Sequence, residues 1–238
     1  MMKKIHASEK KESEGLNEDM VAAQGIVFLA AGFETTSSTM SLLLFNLAKN
    51  PLIQEKVYAE IANVLENNEE DKIDHDTIAE MPYLEACLYE TLRLYPIVIR
   101  NQRYCTKDST IDGKLIKKGT SIIVPTWAMH RNPELYGEDA DKFMPERFIE
   151  EEGGTKVSEK FSDLTFQAFG GGPRICIGMR FAMTEMKLAM TKLLSTFLIE
   201  EEPGVTKLDI QPGGYFLLSY PEMKIRFKRR DSDNKKEE

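Results

Sequence analysis

The sequence predicts a mainly α-helical protein with small β-sheets, an α+β fold. Two observations carry this prediction: apolar segments with helical spacing are bounded by Asn and Pro, and short β-prone runs occupy residues 97–124. The 238 residues suffice for one large domain or two small ones. A net charge of −8 argues against nucleic-acid binding, and three Cys indicate a reducing compartment rather than a disulfide framework.

The first helix is expected to be unusually long. Asn17 fits an N-cap, and Asn50 before Pro51 fits the end of the helix. Residues 25–48 carry one charge but several hydroxyl side chains, which is too polar for a lipid-facing span. We therefore expect a buried helix that runs through the middle of the protein. Pro51 then opens a second helix to about Glu66.

The later helices also have clear end signals. Asp74 is expected to cap a short helix that ends near Glu80, and Pro82 to open another that ends at about Tyr95. A last helix is expected over about 178–197.

After the helix that ends at about Tyr95, the spacing of apolar residues changes from the helical pattern to that of strands. Residues 97–105 and 121–124 are predicted to be strands, with a hairpin turn at Asp112-Gly113. Residues 132–172 are expected to be irregular. For domain organisation we expect a charged, disordered lead-in over 1–15, the folded part over 16–228 and a charged tail over 229–238.

The most specific stretch is the glycine-rich segment 169–178, FGGGPRICIG. Its three consecutive Gly residues let the backbone approach a flat ligand closely. Cys176 stands just before a predicted helix, whose N-terminal dipole and free N–H groups stabilise a thiolate. Thiolate as the axial ligand of a haem favours O–O cleavage, and Arg174 can bind a ligand carboxylate. The alternative interpretation is a glycine-rich loop that holds a buried Cys.

Four motifs, in order, resemble those of the cytochrome P-450 superfamily. The haem-binding loop of that superfamily is matched at Phe169, Gly172, Arg174, Cys176 and Gly178. Residues 31–36, AGFETT, are similar to its oxygen-activation motif, and residues 90–93, ETLR, to its Glu-x-x-Arg pair. Residues 145–148, PERF, resemble the motif whose Arg completes that network. The resemblance covers about residues 16–228 and is strongest to the microsomal family that includes subfamily 3A.

The resemblance implies a haem b whose iron is bound by Cys176, with the loop residues named above around it. It implies that Arg100 and Arg174 bind the haem propionates, and His130 is a further candidate for such a contact. It implies that Glu34 and Thr35 assist proton delivery, whereas taken alone such hydroxyls bond back to helix carbonyls.

Two further groups of residues take their roles from the resemblance. The first is a structural network that braces the loop around Cys176, formed by Glu90, Arg93 and Arg147. The second would line the substrate pocket and comprises Phe28, Phe33, Ile97, Val98, Ile99 and Phe216. Ordinary core packing is the alternative for these six apolar residues.

The implied activity is monooxygenation, in which one oxygen atom of O₂ enters an apolar organic substrate. Electrons would come from NADPH through NADPH–cytochrome P-450 reductase. Full-length relatives act on the cytosolic face of the endoplasmic reticulum membrane through an N-terminal anchor absent here. Family members run to about twice this length, so the chain looks truncated, and its own location stays open.

Two alternative functions also stay open. One is a non-catalytic fragment that does not bind haem by itself. The other is a haem-thiolate isomerase or dehydratase that acts on peroxides, against which the intact Glu34-Thr35 pair counts.

Overall fold

Helices dominate the architecture. The computed structural model describes residues 17–68, 73–150, 154, 164–204, 208, 210, 217–218, 220 and 223–230. The helices are α1 (Glu18–Lys49), α2 (Pro51–Glu66), α3 (His75–Ala79), α4 (Pro82–Leu94), α5 (Thr126–Met129), α6 (Pro133–Tyr136) and α7 (Met179–Thr196). Short 3₁₀ turns cover Pro145–Phe148 and Gly172–Arg174.

The strands are short and pair only in twos. They are β1 (Asn101–Tyr104), β2 (Ser109–Ile111), β3 (Lys114–Ile116), β4 (Ser121–Val124), β5 (Phe197–Glu201) and β6 (Ile225–Arg229). Within the described residues β1 pairs with β4, β2 with β3 and β5 with β6, each antiparallel. The mainly helical α+β class predicted from the sequence is confirmed.

The helix ends follow the local signals in the sequence. The Asn17 side chain accepts the Met20 N–H at 2.8 Å and so caps α1. Asp74 and Thr77 form a reciprocal capping box at the start of α3. In the β2–β3 hairpin, Asp112 (φ 51°) and Gly113 (φ 72°) both adopt the left-handed conformation that a type I′ turn requires. These positions agree with the predictions.

The predicted strand over 97–105 is wrong at its beginning, since β1 starts only at Asn101. The preceding residues use their backbone groups elsewhere. Leu218 N donates to Ile97 O at 2.7 Å, Val98 forms an isolated bridge with Leu217, and Trp127 N donates to Ile99 O at 3.0 Å. Hydrogen bonds to residues distant in the sequence therefore take the place of a continuous strand pairing over residues 97–100.

The core lies between the C-terminal half of α1 and helices α2, α4 and α7. Its fully buried members come from all four helices and include Leu43, Leu47, Val57, Ile61, Leu84, Leu88, Met186 and Leu194. Gln54 ties β5 to this core, because its amide oxygen accepts the Ile199 N–H at 2.7 Å and its amide nitrogen donates to Ile199 O at 2.9 Å. This core positions α4 and α7, the two helices next to the candidate site.

The N-terminal half of α1 is exposed, so the prediction of a helix buried along its whole length is wrong for this half. Residues 17–34 are exposed in the structure, with Phe33 at 71% and Leu29 at 75% of their full accessibility. In the described part of the chain, α1 is the one helix long and apolar enough to cross a membrane, a test that core helices also pass. A helix that is apolar on every side normally lies buried. The exposed half therefore has the composition of an interface.

The two halves of α1 should differ in their contribution to stability. Leu43→Ala, at a fully buried site, should lower the free energy of unfolding by about 2–5 kcal/mol, because it leaves a cavity. Leu29→Ala, at an exposed site on the same helix, should change that free energy by less than about 0.5 kcal/mol. Urea denaturation of both variants measures this difference, and similar losses for the two would contradict the described packing.

Candidate functional site

The Cys176 loop, residues 169–178, closes on itself through its backbone. Cys176 N donates to Phe169 O at 2.9 Å, and Ile175 N donates to Gly172 O at 3.0 Å. Phe169 packs against the main core, so the loop is anchored at one end by apolar burial. At the other end Gly178 is the N-cap of α7, and Ala182 N donates to Gly178 O at 2.8 Å. The loop therefore has a defined shape.

Two glycines give the loop its shape. Gly170 (φ 72°) and Gly172 (φ 68°) both lie in the left-handed region, which a larger residue rarely adopts. A Cβ at Gly171 would lie 3.1 Å from Leu164 Cδ2, so the middle glycine packs closely. A Cβ built at Gly172 or Gly178 would meet no atom within 4 Å, so backbone faces open space there.

The three cysteines differ sharply in environment. Cys87 is fully buried on α4, and burial raises the pKa of its thiol well above the usual range. Cys105 is partly buried, while Cys176 is exposed just before the N-terminus of α7. Of the three thiols, that of Cys176 is therefore the one that a ligand from solvent can reach most readily. Its neighbour Ile177 is 87% exposed, which gives the loop an apolar open side.

A buried ion pair lies behind the loop. Arg93 Nε donates to Glu90 Oε2 and Arg93 Nη2 to Glu90 Oε1, each at 2.7 Å, and neither side chain has any exposed surface. The remaining Arg93 donors bind backbone carbonyls: Nη1 reaches His130 O at 2.7 Å and Ala140 O at 2.6 Å, and Nη2 reaches Lys142 O at 3.1 Å. This one side chain thus holds the segment after α5 against α4.

Arg147 joins the same pair from the 3₁₀ turn Pro145–Phe148. Its Nε lies 3.5 Å from Glu90 Oε1, and that oxygen also accepts the Met144 N–H at 2.9 Å. Its two terminal nitrogens donate to the carbonyls of Tyr136 and Asp139. The structure therefore brings the three residues of the expected network together in one buried cluster.

His130 belongs to this cluster rather than to a ligand contact. Gln167 N donates to its Nε2 at 2.8 Å, and its Nδ1 lies 3.1 Å from Arg93 O, which assigns the proton to Nδ1. The ring is fully buried and stacks on Phe166 at 5.1 Å, and burial lowers the pKa of His130 to about 3. Both ring nitrogens have protein partners, which argues against the propionate contact for which His130 was a candidate.

Asn101 is a residue that the sequence analysis missed. Its Nδ2 donates to Thr126 Oγ1 at 3.1 Å and to Gln167 O at 3.4 Å, and a Cβ at Gly170 would lie 3.6 Å from its Oδ1. These contacts hold the start of β1, and with it Arg100, beside the Cys176 loop. The available signal was the polar pair Arg100-Asn101 directly after the apolar run of residues 97–99.

Comparison with known proteins decides the family. The sequence model of the family described as cytochrome P450 matches residues 1–228. The chain belongs to the cytochrome P450 family. That match begins at residue 1, whereas the motifs alone indicated a beginning near residue 16.

Several P450 relatives share about two fifths of their residues with this chain where the sequences align. Identity is 42% over 200 residues to cytochrome P450 3A31 of Mesocricetus auratus and 44% over 198 residues to cytochrome P450 3A1 of Rattus norvegicus, covering 84% and 83% of this chain. It is 40% over 214 residues, or 89% of this chain, to cytochrome P450 3A5 of Homo sapiens. The aligned part is 38%, 38% and 41% of these relatives, so the chain spans about two fifths of their length.

The chemistry of the P450 loop fits a haem. It combines an exposed thiol for the iron, glycine backbone that faces open space, and the apolar side chain of Ile177. Arg174 is exposed in the 3₁₀ turn within the loop, and Arg100 directly precedes β1, whose first residue Asn101 lies beside the loop. Within the described residues no cluster of three or more His, Cys, Asp or Glu offers another metal site.

The predicted proton-delivery residues lie where the exposed part of α1 ends, with Glu34 exposed and Thr35 partly buried. Thr35 Oγ1 donates to Ala31 O at 2.7 Å, so the hydroxyl bonds back to the helix. Glu34 is exposed, and α1 continues without interruption through Gly32, where a Cβ would meet nothing within 4 Å. The structure thus shows the local alternative for Thr35, and a role of either residue in proton delivery stays a prediction.

The six residues expected at the substrate pocket fall into different environments. Phe28 and Phe33 are 61% and 71% exposed on α1. Ile97 is buried in a second hydrophobic cluster with Leu42 and Leu218, and Ile99 packs against that cluster. Val98 is half-buried, and Phe216 lies outside the described residues. The five residues that the structure describes therefore do not share one environment, and a role of the set at a substrate pocket stays a prediction.

Replacing Arg93 by Lys should destabilise the protein strongly. A single ammonium keeps the charge but cannot reach Glu90 and three carbonyls at once, so we expect a loss of about 3 kcal/mol or more in the free energy of unfolding. Arg226→Lys is the matched control, because Arg226 pairs with Glu202 on the surface, and should cost less than about 0.5 kcal/mol. Equal effects in chemical denaturation would refute the anchoring role of Arg93.

His130 should make stability fall in mild acid. The folded-state pKa of about 3 is below the unfolded value near 6.5, so the folded state binds fewer protons, and stability is lost as pH falls through this window. The loss approaches about 1.4 kcal/mol per pH unit for one such group. His130→Gln removes this contribution, so its unfolding free energy should depend less on pH between about 6.5 and 4. Parallel pH profiles for the two proteins would contradict the buried neutral ring.

Proposed function

We propose that this chain carries the haem-thiolate centre of a monooxygenase that inserts one oxygen atom of O₂ into an apolar organic substrate. The observation that carries the proposal is the exposed Cys176 thiol, which stands just before the α7 N-terminus in a glycine-shaped loop. Membership of the P450 family supports it. Because the chain spans about two fifths of its relatives, the activity is proposed for the whole enzyme.

The loop residues would hold the haem b in distinct ways. Cys176 would bind the iron as a thiolate. Phe169 would anchor the loop to the core, and Gly172 and Gly178 would leave backbone without side chains next to the haem. The guanidinium groups of Arg174 and Arg100 would pair with the propionates. When bound, the haem supplies the redox chemistry that activates O₂, which no side chain of this chain provides.

Glu34 and Thr35 would move protons on the α1 side of the site. The Glu34 carboxyl group is exposed and can exchange a proton with water. The Thr35 hydroxyl has one O–H donor, which Ala31 O already holds at 2.7 Å. Thr35 can therefore accept a hydrogen bond in its present rotamer but must leave Ala31 before it can donate one.

The buried network would act through the loop. Glu90, Arg93 and Arg147 lie behind it in the protein interior, and His130 links Arg93 to Gln167 on the loop side. We assign them a positioning role, since a fully buried ion pair has no access to substrate.

The substrate, electron source and location follow from the family resemblance. The exposed aromatic rings of Phe28 and Phe33, with Val98 and Ile99, offer apolar surface to a substrate. Electrons would come from NADPH through NADPH–cytochrome P450 reductase, on the cytosolic face of the endoplasmic reticulum membrane. The names of the relatives assign them to the 3A group, and we extend that group to this chain.

A second candidate function has its own observation. Among the described residues, no segment packs over the apolar N-terminal half of α1 or over Cys176. Such exposure is expected of a fragment that does not retain haem by itself. An isomerase or dehydratase acting on peroxides is less well supported, because the Glu34-Thr35 pair is intact.

Haem titration distinguishes the two. The purified 238-residue chain, mixed with haemin, reduced and exposed to carbon monoxide, should develop the Soret band of thiolate ligation. Cys176→Ala should abolish that band, while Cys105→Ala, which removes the other thiol that is not fully buried, should keep it. A wild-type chain without the band would favour the non-catalytic fragment, and a band that survives Cys176→Ala would overturn the assignment of the ligand.

A further inference from the structure

A groove lies between α3, α4 and α7, on parts of these helices that the proposed haem site does not use. It is open to solvent on one side and has a volume of about 270 Å³. The residues that line it include Ile78, Ala79, Glu85, Met179, Met183 and Lys187. For comparison, a cavity of about 150 Å³ is enough to hold benzene.

The buried Lys187 ammonium is the unusual feature of this groove. Lys187 is 5% exposed, and within the described part of the chain its ammonium donates one hydrogen bond, to Glu85 Oε2 at 2.9 Å. An ammonium carries three N–H donors, and buried donors without acceptors are costly. The groove is therefore a place where an oxygen acceptor would be stabilised.

The charges around Lys187 define which acceptor fits. Glu85 pairs with it directly, and Glu60 on α2 interacts with it electrostatically while accepting the Tyr83 and Leu84 N–H groups. With Arg180 on the groove wall, two positive groups balance two carboxylates. Because the charges balance, a further anion gains little net attraction, whereas a neutral carbonyl oxygen accepts from the ammonium and leaves the balance unchanged.

The walls of the groove suit an apolar body. Ile78 and Ala79 form one side, and Met179 and Met183 form another, with thioether side chains that adapt to irregular shapes. Burial, followed by the charge and hydrogen bond of Glu85, raises the pKa of Tyr89, so the phenol stays protonated and donates to that carboxylate. Glu85 is thus held in place. The Lys187 N–H groups that do not bind Glu85 remain to donate to a ligand.

We propose that the α3–α4–α7 groove is a binding site for a small neutral molecule with one carbonyl oxygen on an apolar body. The carbonyl accepts from Lys187, and the apolar body contacts Ile78, Met179 and Met183. Cys176 is not among the residues that line the groove, although Met179 N donates to Cys176 O at 3.4 Å.

Matched probes test the proposal on the 238-residue chain. Acetophenone carries the carbonyl, ethylbenzene has nearly the same shape without an oxygen, and benzoate adds a negative charge. With methyl-¹³C-methionine, acetophenone should shift the Met179 and Met183 signals in a saturable way, with a Kd on the order of 1 mM. Ethylbenzene should bind about tenfold more weakly, because it offers no acceptor. Equal affinities, tighter binding of benzoate or unshifted signals would each overturn the site.

Variants identify the recognition element. Lys187→Met should remove the preference for acetophenone over ethylbenzene, while Lys192→Met, at an exposed position on the same helix, should keep it. If Lys187→Met fails to fold by circular dichroism, Ala79→Phe supplies the second test. Ala79 is exposed at the end of α3 and lines the groove, so a phenyl ring there should block both probes. A preference retained in Lys187→Met, or binding retained in Ala79→Phe, contradicts the proposal.

Discussion

The buried Glu90–Arg93 ion pair is the interaction on which the irregular half of the molecule depends. Residues 130–148 contain little regular structure, so their carbonyls cannot be satisfied by a ladder or a long helix. Arg93 supplies donors to three of them, and Glu90 accepts from Met144 and lies beside Arg147. Such a pair adds little net stability compared with an apolar substitute, and its contribution is to fix one arrangement of the chain.

This arrangement explains how the Cys176 loop keeps its shape although the described sheets have only two strands each. α4 carries the ion pair on one side and packs against α1, α2 and α7 on the other. α7 begins at the end of the Cys176 loop, and His130 and Asn101 both contact the chain just before that loop. The helical core and the buried polar cluster therefore hold opposite ends of the same ten-residue segment.

The features predicted well from the sequence have local causes. Asn17, Pro51 and Asp74 act on helix ends within a few residues of themselves, and Asp112-Gly113 forms its turn from its own backbone preferences. The motif ETLR could be placed on a helix face, but neither its complete burial nor its carbonyl partners could be derived from spacing.

The features that the sequence analysis missed depend on contacts between residues that are far apart in the sequence. Residues 97–100 have strand composition, yet Leu217, Leu218 and Trp127 take their backbone groups. His130 has an ordinary sequence neighbourhood, and only the fold shows that Gln167 and Arg93 occupy both ring nitrogens. The exposure of residues 17–34 is likewise invisible to composition, because an apolar helix has the same sequence whether or not something covers it.

The contrast between the cysteines has a practical consequence for redox chemistry. Oxidants attack thiolates that solvent can reach, so damage should concentrate at Cys176 and spare the inaccessible Cys87. A sulfenic acid or mixed disulfide at Cys176 would no longer provide the electron-rich sulfur that the proposed iron ligation needs. The exposure that would make this sulfur available to a haem thus also makes it accessible to oxidants, so a reductant should preserve the thiol.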